Sequence, residues 1–211
     1  MRSSFVLRRA AALALLALSL GLLATTAQAT KLRKQNLTEL IAGAESIVSG
    51  TVKSVSDGID AQGVPYTEVT LSVGRSPKGA IEAGKEYTFR QFGLLEPRTF
   101  PNGHQLLARA PEGFPTWHEG EYVVAFLNRP ASRTGLQTTV GLAQGKLAQV
   151  NDRLANDFGN DGLFDGVQVS AGLLSPDENA LLNGSPVDTA VFLNLIDRIV
   201  EQQWIEKGEM K

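Results

Sequence analysis

The sequence predicts a mainly β domain, a small antiparallel barrel of five or six strands with a short helix before it and an amphipathic helix after it. Three observations carry that expectation. Short runs of β-branched and aromatic residues are separated by Gly- and Pro-rich turns, no helical segments alternate with them, and the 3.6-residue periodicities of the chain fall at its two ends. Closure of the strands would leave no open sheet edge, which favours a five-stranded Greek-key barrel of the OB kind. A flattened sandwich is the alternative packing of the same strands.

The first segment reads as an address. Arg2, Arg8 and Arg9 precede an uncharged run rich in Ala and Leu, from Ala10 to Gly21, which leads to Ala27-Gln28-Ala29. A basic start, an apolar stretch and a small-x-small site are the parts of an export signal, so cleavage is expected after Ala29. The apolar run is too short to span a hydrocarbon core of ~30 Å comfortably, and no second long apolar run follows. Residues 30–211 are thus expected to form one domain that works in the periplasm or the medium. The formal charge of −2 becomes more acidic once the three arginines leave, which argues against nucleic acid or anionic membrane as partner. With no cysteine there is neither a lipid-attachment site nor a disulfide framework, and stability must come from the core.

Leu37, Leu40, Ile41 and Ala44 recur at helical spacing, with Asn36 and Glu39 placed to cap reciprocally, so a helix is expected over 37–45. The β region spans 46–150. Ile47 to Val55 is a strand with Gly50 between Val48 and Val52, a place where another backbone approaches closely. Tyr66 to Val73 alternates cleanly, Tyr87 to Phe92 is a third strand, and Tyr122 to Leu127 is apolar on both faces, the mark of a strand covered on each side. Leu136 to Val140 and Lys146 to Val150 complete the set. The segment 151–184 is a loop rich in Asn, Asp and Gly. Ser185-Pro186 then opens a helix over 185–206, whose stripe is Phe192, Leu195, Ile196, Ile199 and Val200.

Several chemistries are weakly represented. Gly79 to Glu86 copies the glycine and lysine spacing of a phosphate loop but leads into a strand and has Glu where a metal-holding hydroxyl belongs. The two histidines, His104 and His118, with Glu119 make at most a partial metal site, and no serine sits in a nucleophile elbow. Asp157, Asp161 and Asp165 occupy positions one, five and nine of a calcium-type loop, but Gly159 and Gln168 stand where two further ligands belong. The long segment from Gly93 to Glu119 gathers Arg98, Phe100, His104, Arg109, Phe114, Trp117 and His118, the residue types that contact surfaces use. Phe100, Phe114 and Trp117 serve equally well as a plug for one end of the barrel, Trp117 above all.

The order of Leu37-Thr-Glu-Leu-Ile41, Ile47 to Val52, Tyr66 to Val73 with Pro77-Lys-Gly79, Phe114-Pro115 with Gly120 to Leu127, and Val140 to Lys146 resembles a family of exported bacterial proteins of unassigned activity. The resemblance implies a barrel-like β-domain behind a signal peptide, in a family some of whose members accompany secreted metalloproteases. It transfers no functional residue. The sequence therefore points to an exported, non-enzymatic module that binds a protein or glycan partner. The alternative is a secreted hydrolase using His104 or His118 with Glu119 or Glu121.

Overall fold

The computed structural model describes residues 32–182 and 186–211, so the export signal expected over 1–29 and the cap expected at Ser185 lie outside the described residues. Helix α1 (Leu37–Gly43) starts where Asn36 and Glu39 cap each other. The Asn36 side chain accepts from the Glu39 amide at 3.0 Å, and the Glu39 carboxylate accepts from the Asn36 amide at 3.2 Å. Leu37, Leu40 and Ile41 are the face that α1 buries.

Strands β1 (Ser46–Ile59) and β2 (Pro65–Lys78) form a long hairpin, closed by a turn in which the Asp60 carboxylate accepts from the Gln62 and Val64 amides. Then come β3 (Glu86–Phe92), the two-residue strands β4 (Arg98–Thr99) and β5 (Gln105–Leu106), β6 (Tyr122–Leu127), a 3-10 turn over Leu142–Gly145, β7 (Lys146–Val150) and β8 (Arg153–Ala155). Helix α2 (Pro176–Leu181), β9 (Val187–Asp188) and helix α3 (Thr189–Glu201) follow. Every named strand pair is antiparallel, and the main sheet runs β3-β2-β1-β6-β7-β8-β9, with β4 and β5 paired apart from it.

The sheet has seven strands and stays open, so the expected closed barrel of five or six strands is wrong. Two causes stand out. After β6 the chain extends the sheet through β7, β8 and β9 instead of turning back to β3. The segment expected as a strand over Leu136 to Val140 folds back on β6, with Asn128 donating to Thr138 O at 2.9 Å and Val140 donating to Phe126 O at 2.7 Å. It meets β3 through one backbone bond, Gln137 N to Arg90 O at 2.7 Å, beside side-chain bonds from Tyr87 to Gln137 and from Thr138 to Gln91. The β3 side of the curl is therefore pinned at a point and not laddered.

Residues 33–211 form one compact unit with a core on each face of the sheet. On one face α1, α3 and Trp204 cover Ile47, Val124, Phe126, Leu147 and Leu154. On the other, Val48, Val52, Val69, Leu71, Val73, Phe89, Val123, Ala125 and Leu127 pack around Trp117. Strand β6 serves both cores, as its two-sided apolar pattern predicts. At Gly50 the close approach is real, since a Cβ there would lie 2.1 Å from Ser72 O.

The C-terminal helix begins at Thr189, capped by Asp188, whose carboxylate accepts from the Val191 amide at 3.0 Å, so the expected helical span of 185–206 is too long at both ends. The chain finishes by pairing 209–211 with 168–170, which buries Met210.

Candidate functional site

The long segment after β3 is a folded platform. It leaves β3 at Gly93, where φ is +108° and a Cβ would lie 2.3 Å from Ala110 N, so neither side chain nor ordinary backbone geometry fits there. Leu94 is buried and donates to Ala108 O at 2.8 Å, while β4 and β5 pair across the turn at Phe100 to His104. Asp57, near the end of β1, ties the platform to the hairpin. Its carboxylate accepts from the Leu95 amide at 2.9 Å and pairs with the Arg98 guanidinium. Burial raises the Asp57 pKa, but the Leu95 amide and Arg98 outweigh that and hold the carboxyl below its ordinary value.

This platform divides the residues singled out from sequence into separate roles. Phe100 is exposed, in the company of Phe92, Leu95 and Leu107, which stand 36–69% exposed. Arg109 is on the same segment and donates to Leu95 O at 3.2 Å and to Glu96. His104 is exposed at the turn between β4 and β5, and its amide donates to the Asn102 side chain. Phe114 is half-buried.

Trp117 is the plug. It is 5% exposed, donates from its indole nitrogen to Gln91 Oε1 at 3.3 Å, and meets the Phe89 ring edge-on at 5.3 Å. Gln91 in turn donates to Pro115 O at 3.0 Å, which fixes the approach of this segment to the core. The Lys146 ammonium lies over the indole, 5.5 Å from the ring centre and 2.6 Å from a Glu121 carboxylate oxygen, with 2% of the lysine side chain exposed. Sequence reasoning missed Asp57, Gln91 and Lys146. For Gln91 a signal existed, because it occupies the inward phase of β3 together with Tyr87 and Phe89.

The histidines do not assemble with carboxylates into a reactive cluster. His118 is exposed; Glu119 accepts from the Val55 amide at 3.0 Å, and Glu121 is held by Lys146. Among the described residues there is no group of three His, Asp or Glu side chains able to hold a metal. In the loop with Asp157, Asp161 and Asp165, the turn is made by two buried asparagines. Asn156 accepts from the Phe158 and Asn160 amides, and Asn160 accepts from the Asn156 amide and donates to Leu154 O. Asp161 is paired with Lys34 at 2.7 Å, and Asp165 contributes its main-chain oxygen to Asn36.

Among the described residues no helix is long and apolar enough to cross a membrane. Compared with known proteins, the chain matches no family model, no curated protein and no solved structure.

Proposed function

We propose that the protein is an exported, non-enzymatic interaction module that grips a protein partner through the platform over residues 92–109. The observation that carries this reading is the exposure of Phe92, Leu95, Phe100 and Leu107 on a segment locked by Gly93, Asp57 and the β4–β5 pair. Fixing large apolar side chains in water is unfavourable unless they are covered part of the time, and a pre-ordered surface loses little entropy on binding. Arg98 and Arg109 hold the same segment through ion pairs with Asp57 and Glu96. The resemblance to exported companions of metalloproteases makes a secreted protease the partner of choice.

The hydrolase alternative has less support, because Glu119 and Glu121 are already engaged in holding β1 and β7. The test is complex formation between the chain lacking residues 1–29 and a secreted metalloprotease of the same organism, by gel filtration and calorimetry. Phe100→Asp with Leu107→Asp should weaken the complex by at least ~100-fold with the melting temperature unchanged, since paired apolar anchors carry such losses. An unchanged affinity in a folded variant, or no complex with the unaltered chain, would count against the proposal.

A further inference from the structure

The outer edge of β3 is open beside a cleft. In an antiparallel ladder, successive residues direct their main-chain polar groups first to one neighbour and then to the other. The bonds Gly93 N to Pro65 O at 3.1 Å and Val73 N to Lys85 O at 2.9 Å fix the phase. Residues 85, 87, 89 and 91 therefore address β2, while Glu86, Thr88 and Arg90 turn outward. Arg90 O is taken by Gln137. Among the described residues no hydrogen bond reaches the outward main-chain groups of Glu86 and Thr88.

Next to that free stretch lies a cleft of about 600 Å³ whose floor includes Ile81 and Tyr87, both packed on the second core. Its walls carry Glu45, Glu82 and Glu86 against the ammonium of Lys85. Glu45 and Glu86 also pair with Arg129 and Lys53, cations that are 78% and 56% exposed and so held weakly enough to be exchanged.

We propose that this cleft takes up an extended peptide segment with Lys or Arg at alternate positions, which adds to β3 as the stave missing from the curl. Main-chain bonds to Glu86 and Thr88 would supply affinity. Alternation would send one set of side chains onto Ile81 and Tyr87 and the other along the carboxylates. The site is separate from the platform, which begins at the far end of β3, roughly 20 Å away at the rise of an extended strand.

The probe is a fluorescein-labelled hexapeptide of alternating Lys and Val, titrated against the full chain by fluorescence anisotropy. Its controls are the Glu–Val counterpart and the Lys–Val peptide methylated on alternate backbone nitrogens. The unmodified Lys–Val peptide should bind at least ~10-fold more tightly than either control, and Glu82→Lys with Glu86→Lys should reduce its affinity by a similar factor. Phe100→Asp with Leu107→Asp should leave this binding unchanged, which separates the two surfaces. The proposal is overturned if the Lys–Val peptide does not bind, if the methylated peptide binds equally well to the unaltered chain, or if a folded charge-reversal variant binds as before.

Discussion

Lys146 keeps an ammonium group almost entirely out of water, satisfied by Glu121 at 2.6 Å and by the face of Trp117. Removing either partner strands the other in a poorly solvated position. Lys146→Met alone should lower the unfolding free energy by about 3 kcal/mol, whereas Lys146→Met combined with Glu121→Leu should recover most of that loss. Urea titration of the single and double variants measures both. Glu178 on α2 is the counterpart on the other face, 5% exposed, with both carboxylate oxygens bonded to Arg198 at 2.6 and 2.7 Å. Burial raises its pKa, but the Ser175 amide and Arg198 more than offset that and leave it below its ordinary value of 4.5. A carboxyl depressed in the folded state contributes stability above its unfolded pKa, and the contribution is lost as pH falls through the folded value. Stability should therefore decline below about pH 4.5, and Glu178→Gln should flatten that part of the profile relative to the unaltered chain in unfolding measured from pH 7 to pH 3.

At the scale of elements, what was legible in the sequence was whatever repeats. The alternation of β2, the two-sided burial of β6, the start and end of β7 and the capped start of α1 can all be read from spacing, because a face that must be buried imposes a period. Strands β8 and β9 are three and two residues long and carry no period to read. The segment 136–140 has the composition of a strand but finds only an isolated bridge, Leu127 with Thr139, because ladder formation depends on which edge the chain meets. Helix α2 lies inside the segment expected as a loop over 151–184, although its start is written in the sequence. Ser175-Pro176 repeats the Ser-Pro start of 185–186 and adds Glu178 three residues on, and in the structure Ser175 and Glu178 cap each other. The aromatics and arginines of the platform are visible in the sequence, but Asp57, which holds it, lies about forty residues earlier in a strand where nothing local marks it.

For the molecule as a whole, residues 209–211 are tied into the fold rather than appended to it. Gln168 and Lys211 exchange two backbone bonds of 2.9 Å, Ser170 donates to Glu209 O at 2.8 Å, and Met210 is 2% exposed. Deleting residues 209–211 should cost roughly 2–4 kcal/mol, the range for losing one buried Met with its flanking bonds, and urea titration of the truncated chain checks this. Strand β6 has the opposite character, since it stands between two cores and has no face turned to water. Any replacement from Val123 to Leu127 has to suit neighbours above or below the sheet at every position in succession. Over evolutionary time such a strand should drift more slowly than the alternating strands beside it. A gapless apolar word of this kind, ending at the bend into Asn128, is the feature by which remote descendants of this chain would be recognised.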